Sequence, residues 1–541
     1  MFRPFTLLLF FFLLLDFASN AQSQKTQIQE LTANENNDLK AEELNHYLDS
    51  ISPFLSSPPI GKYIGKALSL NQFNSSYYKN HQVNSWKIQT RNLKTRVFFK
   101  NLSLENGDSL FTYNLEGDLL EIKTIHNTYG SAFTSLASIN GLVFQLKNYS
   151  KNASAQITGY SLESVKDAQF SPMSFGESEA CQVNINCNEG DDFRNIQKSV
   201  VRILMKIGSS FLWCTGTVVN NTSYNYEPYI LSAEHCGLLG NDIAPQSDLD
   251  SWTFYFNYES PDCDNPSSEG NLDRQRMTGA NLLANSDDQG GDFGSDFLLL
   301  KLQNNIPTVF NAYYSGWNHN GLAKPKNGVG IHHPSGDIKK ISSYEFPAES
   351  GSFGSTVSDT HWLVNWRPSL NGYGTTEQGS SGSPIFDENN LLRGVLTGGG
   401  SACNNLSGKD YYGKLSYSWN SNGNLNTRRL DKWLDPTNTG YLAINGAFEG
   451  DSKPILDGEE IEIFPNPANE NIVKIRNIGR PQESLTLSVF SFQGQLLFSS
   501  EVVSIPGKDY ELEITKWPNG IYYIQIEQNS DISRQLLIIR K

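Results

Sequence analysis

The chain has 541 residues and a formal net charge of −15, and this length predicts two to four domains. Hydrophobic residues make up 38% and charged residues 18%, and the 44 glycines are accompanied by many asparagines and serines. This composition is typical of a β-rich, loop-rich extracellular protein rather than a helical or disordered one. The acidic balance argues against nucleic acid or an anionic membrane surface as a partner.

The N-terminus has the pattern of an export signal. An apolar run from Phe5 to Leu15 follows a single arginine, and small residues surround Ala21. We therefore expect residues 1–21 to be a secretory signal peptide that is removed from the mature protein. This run is too short to span a bilayer and no later segment is long enough, so we expect no integral membrane segment and a secreted or cell-surface location.

Residues 22–175 form the next segment, which lacks cysteine. A helix-like start, "NNDLKAEELNHYLDSI", precedes runs such as "RVFFKNLSL" and "GLVFQLKNY", whose alternation of apolar and polar residues predicts strands. The segment carries no catalytic constellation, as is usual for the propeptide of an exported enzyme. We predict a β-rich propeptide, with a mature chain that begins between Lys166 and Cys181 and self-cleavage after Lys166 as one option.

Residues 176–448 contain every cysteine of the chain. The six are Cys181, Cys187, Cys214, Cys236, Cys263 and Cys403. An even number of cysteines in an exported protein predicts disulfides, here three, and six cysteines allow fifteen pairings. No CxxC pair is present, so a zinc site is not expected, and the sequence predicts neither a metal nor another cofactor.

Short strand-like runs fill the same segment. They are "VVRILMKI", "TGTVVNN", "PYILSAEHC", "WTFYFNYE", "DFLLLKL" and "RGVLTGG". Short strands at this spacing, separated by turn residues, favour β-barrels. Near the end of the segment, "NTRRLDKWLDPTNTG" has apolar residues at helical spacing and stops at a proline, which predicts a short helix.

The stretch "EQGSSGSPIFDENN" sets a serine between glycines just before an apolar run. A serine hydroxyl is a weak nucleophile that needs a base to take its proton and amide donors to hold the oxyanion. Ser381 is therefore the candidate nucleophile, and the N–H groups of Gly379 and Ser381 are the candidate oxyanion donors. A surface turn rich in glycine and serine is the alternative that this stretch alone leaves open.

The order of the polar residues along the chain narrows the choice of a base and an acid for Ser381. His361 is the last histidine of the chain, so a histidine that serves Ser381 must precede it, as in the order His, Asp, Ser. The best candidate base is His235, which ends the apolar run "PYILSAEHCG". The best candidate acid is Asp296, which directly precedes "FLLLKL" and could hold the imidazole tautomer.

Two neighbouring cysteines support this choice of histidine. A disulfide between Cys214 and Cys236 would close a hairpin behind the imidazole of His235 and fix its place. Each residue also has a structural alternative, since His235 could merely pack beside a cysteine and Asp296 could cap the start of a strand. The three residues in this order are much less expected by chance than any one of them.

The C-terminal part begins after a polar linker, residues 449–459, that contains proline and glycine. In residues 460–541, "LTLSVFSFQGQLLFSS" and "GIYYIQIEQ" alternate apolar and polar residues with the strand period. This alternation predicts a small β-sandwich.

The motifs of residues 176–440, taken in order, resemble one family. "CTGTVVNNTSYNYEPYILSAEHCG", "SDFLLLKL", "IHHPSGD", "QGSSGSPIFD", "GGGSAC" and "LDKWLDP" resemble the secreted bacterial lysyl endopeptidases, which are trypsin-like serine proteases of the chymotrypsin fold. The resemblance implies a mostly β protein whose protease domain is a double β-barrel, with the triad in the cleft between two six-stranded barrels. It also suggests a mature chain that starts near Gly176. The implied disulfides are Cys181–Cys403, Cys187–Cys263 and Cys214–Cys236.

The resemblance also bears on specificity. In trypsin-like enzymes a buried carboxylate at the base of the first pocket attracts Lys or Arg, and the usual position is Thr375 in this chain. Lysyl endopeptidases place the acid after the serine, in a motif similar to "DYYGKL". Asp410 is therefore the candidate base of the pocket, with Glu377 as a candidate assistant. A solvated loop acid is the alternative for Asp410.

The chain departs from the family pattern at three positions. Phe353 and Thr397 stand where the family has a stacked Trp and His beside the catalytic histidine, which leaves the preference for Lys over Arg open. Ser380 stands where mammalian trypsins have an Asp that pairs with the new N-terminus. We therefore expect the propeptide to act differently, by covering the cleft or by guiding folding.

The C-terminal segment resembles type IX secretion sorting domains. "IEIFPNPANENIVKI", "FSFQGQLL", "WPNGIYYIQI" and "RQLLIIRK" occur in the order of that family. The resemblance implies handling by the type IX secretion machinery and delivery through the outer membrane. A carbohydrate-binding or adhesive sandwich is the alternative.

Together these features predict a secreted serine endopeptidase, expected to be a monomer, that cleaves proteins or peptides after basic residues, Lys preferred, through an acyl-enzyme. One alternative is a catalytically silent relative that serves as a surface binding protein. Another is an active enzyme whose pocket takes Arg or small residues.

Overall fold

The computed structural model describes twelve stretches of the chain. They are residues 29–31, 60–69, 76–78, 81–130, 132–150, 152–164, 175–354, 357–451, 462–476, 484–503, 509–528 and 531–541. The predicted signal peptide, the helix-like start of the propeptide, Lys166 and most of the predicted linker lie outside these residues.

The described residues form two compact units. The first contains strand Gln29–Leu31 and the described residues of 65–131 and 135–165. The second contains the described residues of 44–64, 132–134 and 166–541. No helix in the described stretches is both long and apolar enough to cross a membrane.

Strands make up the N-terminal segment. Their bounds are Gln29–Leu31, Gly61–Ser69, Ser76–Tyr78, His81–Ser103, Ser109–Tyr113, Leu119–Lys123, Phe133–Thr134, Ser138–Asn148 and Ser154–Ser164. The long strand His81–Ser103 pairs antiparallel with the last two of these. Its residues 95–99 are all buried, and Phe99 meets Phe144 edge to face at 5.1 Å between ring centroids. The β-rich character predicted for this segment is confirmed.

A first antiparallel sheet opens the segment from 175 to 451. Its strands there are Val200–Ile207, Ser210–Val218, Tyr229–Ala233, Thr253–Tyr255, Arg276–Thr278, Ala280–Asn285 and Phe297–Leu302. Every residue of Val200–Ile207 and Ser210–Val218 is buried. Burial on both faces explains why these strands read as nearly continuous apolar runs rather than as strict alternation.

A second sheet, largely antiparallel, follows in the same segment. Its strands are Val183–Asn184, Trp317–Asn318, Gly328–His332, Lys340–Tyr344, Glu349–Gly351, His361–Val364, Pro384–Phe386, Leu392–Gly399, Asp410–Lys414 and Ala443–Ile444. One hydrophobic core joins both sheets. It includes Leu231 and Leu299 from the first sheet and Val329, Phe386 and Val395 from the second. The mostly β architecture that the sequence implies is confirmed.

The helices described between residues 175 and 451 are few and short. The α-helices are Gln246–Leu249, Leu415–Asn420 and Asp431–Leu434. The 3-10 helices are Asn188–Phe193, Ile196–Ser199, Glu234–Gly237, Thr308–Phe310, Pro334–Gly336 and Asn426–Arg428. Two small strand pairs complete the segment, Leu238–Leu239 with Asp242–Ile243 and Tyr313–Tyr314 with Ala447–Phe448. The helix predicted in "NTRRLDKWLDPTNTG" is present as Asp431–Leu434.

The C-terminal residues form two further sheets. Strands Glu462–Phe464, Ile472–Arg476 and Tyr510–Glu513 make one, and Ser484–Ser491, Leu496–Val503, Gly520–Gln528 and Asp531–Ile539 make the other. The side chains of Val473, Leu487, Ile514, Ile524 and Leu537 share a common apolar core, and all five are fully buried. The two sheets therefore pack as a sandwich, as the sequence pattern predicts.

The three disulfides join Cys181 to Cys403, Cys187 to Cys263 and Cys214 to Cys236. This pairing is the one that the family resemblance implies.

Removal of the disulfides should destabilise the fold in the order of the loops that they close. Cys214 and Cys236 are separated by 22 residues in sequence. Replacing both by alanine opens the loop that their disulfide closes and should lower the free energy of unfolding by about 3 kcal/mol. Replacing Cys181 and Cys403, separated by 222 residues, should lower it by about 5 kcal/mol. Guanidinium unfolding of both double variants measures the two losses, and a larger loss for the short loop would contradict the expectation.

Candidate active site

A pair of neighbouring strands brings His235 and Asp296 together. Strand Tyr229–Ala233 pairs antiparallel with Phe297–Leu302, and the register sets Ala233 opposite Phe297. His235 lies in the 3-10 turn that follows the first strand, and Asp296 directly precedes the second. The Nδ1 atom of His235 lies 2.7 Å from Oδ2 of Asp296, and the backbone N–H of His235 donates to Oδ1 at 2.9 Å.

Burial and charge compete at this histidine. Burial alone lowers the pKa of His235, but the negative charge of Asp296 and its hydrogen bond outweigh burial, so the pKa is raised above its ordinary value. Asp296 is fully buried and has a left-handed backbone with φ +55°. A non-glycine residue in that conformation carries strain, which is common where side chains must be aimed precisely at a partner.

The loop that carries Ser381 packs against two strands, Ser210–Val218 and the strand Tyr229–Ala233 that leads to His235. The carbonyl of Ser381 accepts the N–H of Thr215 at 2.8 Å. Gly382 has φ +78°, and a Cβ atom there would lie 2.8 Å from the backbone nitrogen of Ala233. Only glycine fits this approach, so the glycine that follows the serine is a steric requirement of the loop.

Two backbone donors of this loop are unused. Among the described residues, the N–H groups of Gly379 and Ser381 have no hydrogen-bond partner. The N–H groups between and after them are used, since Ser380 donates to Glu377 and Gly382 donates to Leu396. Gly379 is buried and has φ +89°. A pair of unpaired donors beside a serine hydroxyl is the arrangement that could hold an oxyanion.

The neighbouring Ser380 anchors the loop from behind. Its hydroxyl donates to Nδ1 of His332 at 2.7 Å and accepts the N–H of Glu377 at 3.1 Å. Burial, with a smaller effect from Lys340, lowers the pKa of His332 to about 3, so the imidazole is neutral and able to accept. A sequence reading could find this serine only through its place in the "GSSGS" turn.

The Ser381 hydroxyl itself makes no hydrogen bond with any residue that the structure describes. The histidine–carboxylate half of the predicted triad is therefore formed, and the serine–histidine half is not formed as a hydrogen bond. Such contacts are often long in enzymes without substrate and tighten in the complex. The Cys214–Cys236 disulfide lies beside the imidazole, since Nε2 of His235 is 4.0 Å from the sulfur of Cys236.

Asp410 opens a strand of the second sheet and is fully buried. Its Oδ2 accepts from Trp366 Nε1 at 2.6 Å, from the Thr376 hydroxyl at 2.7 Å and from the Ser401 hydroxyl at 2.6 Å. Burial raises its pKa although these hydrogen bonds oppose the rise. The alternative of a solvated loop acid is wrong for Asp410. Thr376 and Ser401 link it to the segments on either side of Ser381 in sequence.

The Glu377 carboxylate contacts different parts of the chain from those that surround Asp410. It accepts from Gln182 Nε2 at 2.7 Å, from the Glu179 N–H at 3.1 Å and from the Ser335 hydroxyl at 2.9 Å. These partners belong to the start of the protease segment and to the turn before the second sheet's strand Lys340–Tyr344. Its observed contacts fasten segments together, whereas those of Asp410 surround a single buried carboxylate.

Phe353 and Thr397 lie close to His361, which the sequence analysis used only as the last histidine of the chain. The Thr397 hydroxyl is 3.0 Å from Nε2 of His361, and the Phe353 ring is 5.9 Å from the imidazole, tilted by 38°. Burial, followed by the charge of Lys414, lowers the pKa of His361 to about 3 and keeps it neutral. The two residues therefore surround a neutral histidine near the acid end of the His235–Asp296 pair.

Two more acids near His235 escaped the sequence reading. Glu234, Asp288 and Asp296 each place a carboxylate oxygen within 4.8 Å of the others, a separation from which they could hold a metal ion. Their oxygens are already occupied by backbone and side-chain N–H donors, including those of Asp287 and Gly291. The adjacency of Glu234 to the histidine was the only sequence signal that could have pointed to this cluster.

Comparison with known proteins matches two segments of the chain to family models. Residues 175–413 match the model described as "Lysyl endopeptidase, C-terminal domain", and residues 462–540 match that described as "Secretion system C-terminal sorting domain". A curated lysyl endopeptidase from Pseudomonas aeruginosa is 29% identical over 255 residues, which cover 45% of this chain and 50% of the relative. The chain thus spans about half the length of this relative.

Solved structures with similar folds are serine protease AL20 from an extremophilic microorganism, a Glu endopeptidase, and protease Anisep from Arthrobacter nicotinovorans. Their TM-scores are 0.29, 0.27 and 0.28, with identities of 14%, 17% and 16%. The matches cover 40%, 44% and 40% of this chain and 91%, 92% and 90% of those chains. These TM-scores are too low to carry an argument about function.

The C-terminal match indicates a secreted or cell-surface protein. The motifs quoted from the sequence and the two family models agree on the same two regions. The chain therefore joins a segment similar to the lysyl endopeptidase C-terminal domain to one similar to secretion system C-terminal sorting domains.

Proposed function

We propose that this protein is a secreted serine endopeptidase that hydrolyses peptide bonds after basic residues, Lys preferred, through an acyl-enzyme. The observation that carries the proposal is the buried His235–Asp296 hydrogen bond beside a glycine-rich loop with two unpaired N–H donors. The family match of residues 175–413 supports the same reaction class.

In the proposed mechanism, Ser381 Oγ attacks the carbonyl carbon while Nε2 of His235 takes its proton. Asp296 keeps the Nδ1–H tautomer in place and stabilises the imidazolium that forms. The N–H groups of Gly379 and Ser381 bind the oxyanion as the tetrahedral intermediate develops. His235 then protonates the leaving amine, and a water molecule activated by the same imidazole hydrolyses the acyl-enzyme.

Asp410 is proposed to set the preference for a basic side chain. Its carboxylate is buried and has three short hydrogen bonds from neutral donors, so it lies in place before substrate binds. A lysine ammonium would bring the positive charge that this buried site lacks. Since a buried charge is costly without a partner, such a site should favour a cation over a neutral side chain.

The proposal extends to the segments outside the catalytic unit. The C-terminal sandwich would be recognised by the type IX secretion machinery, and the N-terminal β-rich segment would be removed as a propeptide, leaving a mature chain that begins near Gly176. Substrates would be proteins or peptides, and the mature enzyme would act as a monomer.

Substitution of Ser381 by alanine should abolish covalent labelling by a fluorophosphonate probe and lower amide hydrolysis by at least about a thousandfold, because the nucleophile is lost. Labelling of the secreted, processed chain followed by mass spectrometry measures the effect. Equal weak labelling of wild type and variant would favour a catalytically silent binding protein. A Ser383→Ala variant, with a buried neighbouring hydroxyl, controls for loop disruption and should be labelled.

Substitution of Asp410 by asparagine should lower kcat/KM for a Lys amide substrate by about a hundredfold, because the substrate ammonium loses its buried counter-charge. The value for an Ala substrate should change little. Parallel assays of Lys, Arg and Ala amides measure both selectivities. Glu349→Gln, which neutralises an exposed acid paired with Lys409, is the matched control. An unchanged Lys-to-Ala ratio in Asp410→Asn would remove this role from Asp410.

A further inference from the structure

Two buried acids that the proposed mechanism does not use lie beside the His235–Asp296 pair. Glu234 directly precedes His235, and Asp288 lies in the loop that leads to Asp296. Glu234 is 1% exposed and Asp288 is 3% exposed. With Asp296 they form a cluster of three carboxyl groups whose nearest oxygens are within 4.8 Å of one another.

Asp288 fixes the backbone of the catalytic acid. Its Oδ2 accepts the N–H of Asp296 at 2.8 Å, and its Oδ1 accepts the N–H of Gly291 at 2.8 Å. At Gly294, a Cβ atom would collide with Oδ2 of Asp288, so a glycine is needed for the carboxyl group to sit there. Because Asp296 has a strained, left-handed backbone, a hydrogen bond to its N–H directly opposes its relaxation.

Glu234 holds the same loop from the side of the histidine. Its Oε1 accepts the N–H of Asp287 at 2.6 Å, and its Oε2 accepts the N–H groups of Asp288 at 3.0 Å and Gly290 at 3.2 Å. The backbone N–H of Glu234 donates to the carbonyl of Asp296 at 3.0 Å. The hydrogen bonds of Glu234 and Asp288 therefore hold the loop that leads to Asp296, from Asp287 at its start to Asp296 at its end.

Among the described residues, no Lys or Arg side chain balances the charges of Glu234 and Asp288, while Asp296 is paired with His235. In the described part of the chain, neither Glu234 nor Asp288 forms an ion pair, and Arg428 binds Asp287 instead, at 2.5 Å. Buried carboxylates at such short separations disfavour one another's ionisation, and neighbours of this kind titrate as a unit.

The electrostatics place the proton of this unit on Asp288. Burial first, then the charge of Asp296 and the contact with Glu234, raises the pKa of Asp288 to about 7. Burial also acts to raise the pKa of Glu234, but hydrogen bonds from Asp288 and the backbone outweigh it, and the pKa is lowered. The other titratable groups that face Asp288 are His235 and Tyr417, the latter from helix Leu415–Asn420.

We propose that Asp288 is a positioning residue of this site, a carboxylic acid that shares one proton with Glu234 and holds Asp296 in line with His235. The proposal rests on the proposed function, since it concerns how the same imidazole works. Asp288 does not touch the reacting atoms and acts only through Asp296 and His235. While the proton is present, Glu234 and Asp288 together carry one negative charge. Loss of this proton adds a second negative charge, which stabilises the imidazolium of His235.

Asp288→Asn and Glu234→Gln each replace the shared proton by a fixed neutral amide. Both variants should therefore shift the acid limb of the pH profile of kcat/KM to lower pH by about half a unit, because the second negative charge can no longer form. The kcat of Asp288→Asn should also fall by about tenfold with little change in KM, since one of its two backbone acceptors is lost. The secreted, processed chain and a Lys amide substrate are used throughout.

Asp287→Asn is the matched control. It removes the same formal charge from the neighbouring residue, whose side chain is 54% exposed and paired with Arg428. This variant should keep the wild-type acid limb. A direct structural readout is the low-field proton NMR signal of the His235 Nδ1–H, which should move in Asp288→Asn and not in Asp287→Asn.

The outcomes separate the two proposals. An unmoved acid limb in Asp288→Asn and Glu234→Gln, even with lower stability, would reduce these acids to a structural role. An equal shift in Asp287→Asn would indicate a general charge effect and overturn the proposal. If Asp288→Asn is not secreted, Glu234→Gln carries the same pH test. If Ser381→Ala retains hydrolysis, the proposed function fails instead.

Discussion

The pairing of strand Tyr229–Ala233 with strand Phe297–Leu302 is the constraint on which the site depends. Because the pairing ends at Ala233 and Phe297, the chain delivers His235 and Asp296 from the same edge of the sheet. Both are buried, so their hydrogen bond acts where little water competes with it. A carboxylate in such surroundings is stabilised only by donors in fixed positions, and here the side chain and the backbone N–H of one residue supply two of them.

The serine loop is attached to this pair by backbone contacts rather than by its own hydroxyl. Thr215 donates its N–H to Ser381 and its hydroxyl to the carbonyl of Gly379, at 2.8 and 2.9 Å. The next residue back is Cys214, whose disulfide reaches the residue after His235. One strand therefore holds the base and the serine loop together. The glycines allow the loop to approach this strand, and two of the loop's N–H groups have no partner among the residues that the structure describes.

The carboxyl groups of Asp410, Glu377 and Asp288 have different roles because their surroundings differ. Within the described stretches, Asp410 accepts only neutral donors and pairs with no cation, which suits a site for a substrate charge. Glu377 is used by the start of the protease segment and by a turn, so it joins chain segments. Asp288 is buried and faces two other carboxyl groups, and burial together with their influence raises its pKa to about 7. Residue type alone does not distinguish these cases, since burial and neighbouring charge decide the ionisation.

The sequence by itself determined the mostly β character, and it predicted the three-part organisation and the candidates His235, Asp296 and Ser381, because strand periodicity, cysteine content and residue order are local or linear properties. The family resemblance supplied the cysteine pairing and pointed to Asp410. Only the tertiary structure separated the environment of Asp410 from that of Glu377, and only it brought Glu234 and Asp288 into contact with Asp296. Those contacts depend on strand register and loop closure between residues distant in sequence, which no periodicity along the chain encodes.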